Sequence, residues 1–240
     1  MQFLQSLLLL LPVVLNVSAN VEKTIFIAPS LTTIPTVDPS LDDLGLQRLS
    51  PLNPILRTQL NASFPTDDSL GTDSWYFLEN LTPGRRYEAR ICWLATQPTD
   101  FTLTTYTLLD AIEDPALFSS ISVYSAARLA DYPPQDIPPD SASTDPSPTT
   151  ESVLFLRVRA AADYYSLDRS LMESVPPVRA DIILDPFLGN VFPLSLVPTA
   201  CYMCVIGCVA ALLGSWVWGQ FGKVAEPLSA RQALEKRKTK

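Results

Sequence analysis

The chain has 240 residues, a formal net charge of −8, 22 prolines and no histidine. The lack of histidine excludes Ser-His-Asp and Cys-His catalytic sites and most zinc sites. Between Val21 and Asp185, 11 Lys and Arg stand against 23 Asp and Glu. This acidic balance argues against nucleic-acid binding, which needs clustered positive charge.

Residues 1–19 predict a signal peptide. An apolar run from Leu7 to Leu15 is followed by Val17-Ser18-Ala19, the small residues of a cleavage site, so Asn20 is the expected mature start. No Lys or Arg precedes the run, which departs from the usual pattern and leaves an uncleaved anchor as the alternative. The run is too short to span a bilayer well, and this favours cleavage.

Residues 20–190 predict a mainly β lumenal domain, built like a β-sandwich. Short runs that are rich in β-branched and aromatic residues, or that alternate with period two, mark the strands. The predicted strands are residues 24–27, 74–78, 87–93, 101–108, 121–124 and 153–158.

The strand prediction is most specific at residues 87–93. Tyr87, Ala89, Ile91 and Trp93 alternate with polar residues and are expected to share one face. The preceding Leu81-Thr-Pro-Gly-x-x-Tyr87 resembles the E–F corner of fibronectin type III and related sandwiches. There a tyrosine hydroxyl bonds to upstream backbone and fixes the crossover between the two sheets.

Two other segments lack strand character. Residues 131–151 hold six prolines among Ser, Thr and Asp. Such a segment buries too little apolar surface to offset its ordering entropy, which predicts a disordered loop. Residues 163–175 predict one short helix, and residues 29–72 show no clear period.

Few residues of the predicted lumenal domain indicate a catalytic or ligand-binding site. The pairs Asp42-Asp43 and Asp67-Asp68 are better explained as solvated turn residues than as acid–base or metal-binding carboxylates. We therefore expect no catalytic, cofactor or metal site. Cys92, the one lumenal cysteine, is expected to be a small buried strand residue, with an intermolecular disulfide as the alternative.

Two sequons predict N-glycosylation in the lumen. Asn61-Ala-Ser and Asn80-Leu-Thr satisfy the acceptor rule, and Asn80 lies in a predicted turn, which favours exposure. Asn16-Val-Ser also matches, but it lies inside the predicted signal peptide.

The second apolar segment predicts a transmembrane helix over residues 196–221. No charged residue occurs between Asp185 and Lys223, and about 20 residues are enough to cross the hydrocarbon core. Trp216 and Trp218 near one end and Tyr202 near the other fit aromatic belts. Six Lys and Arg follow in residues 222–240, so the positive-inside rule predicts a basic cytosolic tail and a type I topology.

One face of this helix is predicted to pack against a partner helix. Small residues follow a three–four spacing at Cys201, Cys204, Cys208, Ala211 and Ser215, which we call the small-residue stripe. In lipid, small residues let another backbone approach closely. The alternative is that the stripe only reflects the Gly and Ala content common in membrane helices.

The tail ends in Lys236-Arg-Lys238-Thr-Lys240, with lysines third and fifth from the last residue. This resembles the cytosolic dilysine signal, which returns type I proteins to the endoplasmic reticulum. It implies coat machinery as a partner of Lys236 and Lys238. A plain positive-inside cluster is the alternative.

Two stretches resemble a known family. One is Asn-Leu-Thr-Pro-Gly-Arg-Arg-Tyr-Glu-Ala-Arg-Ile-Cys-Trp at residues 80–93, and the other is Leu-Asp-Pro-Phe-Leu-Gly-Asn-Val-Phe-Pro-Leu-Ser-Leu-Val-Pro at residues 184–198. With a signal peptide ahead and a basic tail behind, the chain resembles the fungal GPI-mannosyltransferase II co-activator family. The resemblance implies a non-catalytic subunit in the endoplasmic-reticulum membrane. Its expected partner is the polytopic enzyme that adds the second mannose to the GPI precursor.

Two other functions stay open. A sandwich on a single span also fits a surface adhesion or receptor module, or an endoplasmic-reticulum cargo receptor or chaperone.

Overall fold

A computed structural model describes residues 20–33, 44–131 and 150–238, with side chains in the last helix described as far as Phe221. The predicted signal peptide and most of the predicted loop 131–151 lie outside the described residues. At the two ends of that loop, Asp131 closes a helix, and residues 150 and 151 belong to a short strand. The chain divides into two compact units, residues 1–193 and residues 194–240.

The first unit is mainly β, as predicted. Its strands are β1 (Val21–Ile27), β2 (Thr32–Thr33), β3 (Gln47–Leu49), β4 (Ile55–Leu60), β5 (Thr72–Leu78), β6 (Arg86–Trp93), β7 (Thr99–Tyr106), β8 (Thr150–Glu151), β9 (Leu154–Ala162), β10 (Val178–Leu188) and β11 (Phe192–Pro193). Its helices are α1 (Leu108–Glu113), α2 (Pro115–Asp131) and α3 (Arg169–Glu173).

Two sheets form the predicted sandwich. Sheet 1 has the order β1-β6-β10-β4, and β11 pairs with the last two residues of β10. Sheet 2 has the order β3-β5-β9-β7. The strand pairs within both sheets are antiparallel except β3 with β5. The facing sides of the two sheets bury a common apolar core, which includes Leu60, Tyr76, Leu78, Tyr87, Ile91, Leu156, Val158, Ile182 and Leu184.

The alternation predicted for β6 is confirmed. Tyr87, Ala89 and Ile91 are fully buried in the core between the sheets, and the half-buried Trp93 packs against that core. Trp93 also meets Phe101 of β7 edge-on, with ring centroids 4.8 Å apart. The strand therefore turns its apolar side towards sheet 2.

The predicted tyrosine corner is also confirmed. The backbone N–H of Thr82 donates to the hydroxyl of the fully buried Tyr87 at 3.0 Å. This bond spans the connection from β5 in sheet 2 to β6 in sheet 1. It ties the crossover between the sheets, as in the sandwiches that the sequence resembles.

We expect Tyr87→Phe to destabilise the β-sandwich by about 1 kcal/mol, because the Thr82 N–H loses its partner while the buried ring stays in place. Urea unfolding of the full chain in detergent, followed by tryptophan fluorescence, measures the change. Tyr165→Phe is the matched control, since Tyr165 is 82% exposed. Equal midpoints for the two variants would show that the corner bond adds no stability.

The strand predicted at residues 121–124 is wrong, because this segment lies inside α2. Pro115 is the first residue of the helix, and the Asp114 carboxylate accepts the N–H groups of Ala116 at 2.8 Å and Leu117 at 3.4 Å. These are favourable helix-start features. Leu117, Ile121 and Tyr124 recur at helical spacing and pack on the outer side of sheet 2.

Helices α1 and α2 thus form a third layer over sheet 2. They bury a second apolar cluster that contains Trp75, Phe77, Leu117, Ile121 and Phe155. The Trp75 indole N–H donates to Ser120 of α2 at 3.0 Å, which fixes the helix on the sheet. The helix predicted at residues 163–175 is present but shorter, as α3.

The second unit contains a 3₁₀ turn at Leu194–Leu196 and the helix α4 (Val197–Lys238). Residues Leu194–Phe221 form the one stretch, among the described residues, that is long and apolar enough to span a membrane. This confirms a single candidate transmembrane helix near the C-terminus. Its predicted start at residue 196 lies inside this stretch.

Candidate partner-facing surfaces

The small-residue stripe lies on an exposed helix surface. Residues 201–221 are all exposed. Cys201, Cys204, Cys208, Ala211 and Ser215 share one side of the regular helix, because their spacing matches its period. The Ser215 hydroxyl donates to the carbonyl of Leu212 at 2.8 Å. Ser215 is therefore a small residue of the stripe, and its hydroxyl is hydrogen-bonded within its own helix.

The two predicted glycosylation sites are accessible. Asn61 directly follows β4 and is exposed, and Asn80 is exposed in the turn between β5 and β6. Asn80 has a φ of 55°, a left-handed conformation that asparagine tolerates better than most residues. Accessibility is what an acceptor asparagine needs, and glycosylation itself stays a prediction.

The tail residues are only partly described. The backbone of α4 reaches Lys238, so Lys236 and Lys238 belong to this helix, but their side chains lie outside the described residues. The retrieval signal stays a prediction.

The outer face of sheet 1, which points away from sheet 2, mixes apolar and charged side chains. Its exposed apolar residues are Val21, Ile25 and Ile27 of β1 and Ile55 of β4. Arg57 and Asp181 form a two-pronged ion pair across β4 and β10, at 2.8 and 3.0 Å. The Arg57 hydrogen bond lowers the pKa of the Asp181 carboxyl below its usual value.

Two carboxylates on this outer face are buried. Glu88 of β6 and Asp185 of β10 are register partners, 4% and 5% exposed. The Glu88 carboxylate accepts a hydrogen bond from Lys23 Nζ at 3.3 Å, and it lies 3.7 Å from the guanidinium group of Arg90. Buried carboxylates need such partners, since desolvation otherwise favours the neutral form. The alternating sequence of β6 places Glu88 on the outer face but gives no sign that it is buried.

Cys92 also lies on this face. It is half-buried, opposite Val21 of β1 and Asp181 of β10, and it forms no disulfide. Burial raises the pKa of its thiol, which makes it less reactive as a nucleophile. A structural role fits Cys92 better than a reactive one, although its burial is only partial.

A groove of about 610 Å³ opens beside α2 and the start of β5. Asp73 and Arg159 face it and form a two-pronged ion pair at 2.7 and 3.1 Å. Ser120 donates to the Asp73 carboxylate at 3.4 Å. Asp73 and Arg159 neutralise each other, so the exposed carboxylate of Asp68 is the one charge of the groove lining left outside this pair.

Within residues 20–33, 44–131 and 150–238, no group of three or more Cys, Asp and Glu side chains is arranged to hold a metal ion. Asp68 lines the groove and is exposed like Asp67, whereas Asp42 and Asp43 lie outside the described residues.

Within the described residues, the chain forms a β-sandwich domain with a helical layer, followed by one candidate transmembrane helix, which fits a single-pass membrane protein. Comparisons with protein-family models, with curated protein sequences and with solved structures find no match to the chain.

Proposed function

We propose that this protein is a non-catalytic accessory subunit of an endoplasmic-reticulum GPI mannosyltransferase, the enzyme that adds the second mannose. It supports GPI-anchor biosynthesis by stabilising or positioning the polytopic catalytic subunit. The proposal starts from the resemblance of residues 80–93 and 184–198 to the co-activator family. It places the sandwich in the lumen and the span beside the spans of the enzyme.

The observation that carries the proposal is the position of these two stretches in the fold. They are separated by about 90 residues in sequence, yet they lie side by side in sheet 1, where Leu184, Asp185 and Pro186 pair with Ala89, Glu88 and Tyr87. The side chain of Asn190 adds two hydrogen bonds between the two stretches. It accepts from the N–H of Arg86 at 2.9 Å and donates to the carbonyl of Gly84 at 2.9 Å. The two family-like stretches thus form neighbouring strands of one sheet, and the second stretch leads by sequence into the span.

A second observation favours an accessory role over that of a polytopic enzyme. The apolar stretch Leu194–Phe221 is one helix, and a single helix cannot enclose an active site among several spans. Its exposed small-residue stripe offers a side on which another helix can approach closely. A subunit that packs against a larger membrane enzyme uses both features.

Depletion of the protein tests this function. In cells labelled with radioactive inositol, we expect a GPI precursor that carries one mannose to accumulate, because addition of the second mannose is impaired. Re-expression of the intact chain is the control and should restore the normal precursors. Unchanged precursors after depletion would refute the assignment. Glycans on Asn61 and Asn80 that resist endoglycosidase H would then favour the adhesion or receptor module.

A further inference from the structure

The last two strands before the span in sequence form an apolar hairpin. Strands β10 and β11 are joined by residues 189–191, and both Gly189 and Asn190 have positive φ, at 58° and 59°. Val191 donates its N–H to the carbonyl of Leu188 at 3.2 Å. This is the pattern of a tight type I′ hairpin turn. The turn presents apolar side chains to solvent: Leu188 is 54% exposed, Val191 79% and Phe192 36%.

The hairpin is held firmly by the neighbouring loop. Asn190 bonds Gly84 and Arg86, and Arg85 Nε donates to the carbonyl of Phe187 at 3.2 Å. The guanidinium groups of Arg85 and Arg86 lie over the rings of Tyr87 and Phe187. Two cationic groups therefore flank a rigid apolar tip.

Chain connectivity places this tip near the bilayer. Leu194 lies about 22 residues from Trp216, or about 33 Å along a helix. If Trp216 marks one boundary of a hydrocarbon core about 30 Å thick, Leu194 lies in the opposite headgroup layer. Val191 is three residues from Leu194, at most about 10 Å even when extended.

We propose that the hairpin formed by residues 187–193 inserts its apolar tip into the membrane interface, with Leu188, Val191 and Phe192 among the lipid headgroups. Burial of these side chains from water drives the insertion. Arg85 and Arg86 are matched in charge to the lipid phosphates. The contact is a second membrane attachment besides the span. It depends on the span and not on the proposed function.

Environment-sensitive labelling of the full chain in nanodiscs tests the insertion. Native cysteines are replaced with alanine, and the fluorophore NBD is attached to Val191→Cys, with Leu188→Cys as a second position. The matched control is Leu94→Cys. Leu94 is also exposed, at 52%, but follows the far end of β6. A chain that keeps only Cys208, in the middle of the span, calibrates full burial in lipid.

We expect the labels at residues 191 and 188 to emit at shorter wavelength than the label at residue 94. Lipids with a shallow doxyl group should quench them several-fold more strongly. Phosphatidylcholine nanodiscs without doxyl groups give the unquenched signal. If the labels at 188 and 191 are quenched by aqueous iodide as readily as the label at 94, and not by doxyl lipid, the hairpin stays in water and the proposal fails.

Discussion

Replacing Cys208 and Ala211 with leucine is expected to release the proposed catalytic subunit from this protein while leaving the protein in the membrane. Both side chains lie on the exposed small-residue stripe of the span. Leucine at either position pushes the two helix backbones apart. A gap of about 0.5–1 Å already forfeits a quarter to a half of the dispersion attraction between facing atoms. The substitutions keep the span apolar, so insertion should survive.

The expected readouts are loss of the co-purifying polytopic enzyme in mild detergent and accumulation of a GPI precursor with one mannose. Membrane fractionation verifies that the variant is still present. Ala210→Leu is the matched control, because Ala210 precedes Ala211 and points about 100° away around the helix. Release by Ala210→Leu alone would assign the contact to another side of the helix. Retention of the enzyme by every variant would mean that the span does not hold the partner.

Strand β6 and the span are both predictable from the sequence alone. Strand β6 is clear in the sequence, since Tyr87, Ala89 and Ile91 alternate with polar residues and the corner motif precedes them. The span is equally clear, because a long, uncharged and apolar run is typical of a transmembrane helix. Local patterns are sufficient where one face is apolar and the other is polar.

Strand β10 is hidden in the sequence for a physical reason. Its outer side carries Asp181, Asp185 and Phe187, so charge and apolar residues mix on one face, and Pro186 interrupts the run. Proline is tolerated there because β4 pairs only with residues 178–183 of β10, which leaves that side of Pro186 without a ladder partner from β4. Such edge effects depend on strand order, and a single sequence does not reveal strand order.

The error at residues 121–124 has a different source. Three of these four residues are β-branched or aromatic and fit a strand, but the helical recurrence of Leu117, Ile121 and Tyr124 needs a longer window. The burial of Glu88 was also out of reach, because its ion-pair partner Lys23 and its register neighbour Asp185 lie far from it in sequence. Contacts between distant segments decide burial, and local propensity does not contain them.

Protease treatment of intact microsomes is expected to remove a tag placed after Lys240 and to spare the sandwich. The physical basis is the charge asymmetry about the span. Residues 222–240 hold six Lys and Arg against two Glu, whereas the body before the span is strongly acidic. Basic segments next to a span are retained on the cytosolic side.

The glycan sites supply an independent readout of the same topology. Asn61 and Asn80 are exposed and lie before the span, so both should be modified if the sandwich is lumenal. Asn61→Gln and Asn80→Gln should each increase electrophoretic mobility by one glycan, and the double variant should match the enzymatically deglycosylated chain. A protected tag together with an unglycosylated body would show that the topology is the reverse of the one predicted. The proposed pairing of a lumenal sandwich with the mannosyltransferase would then fail, even if the helix stripe still binds a partner.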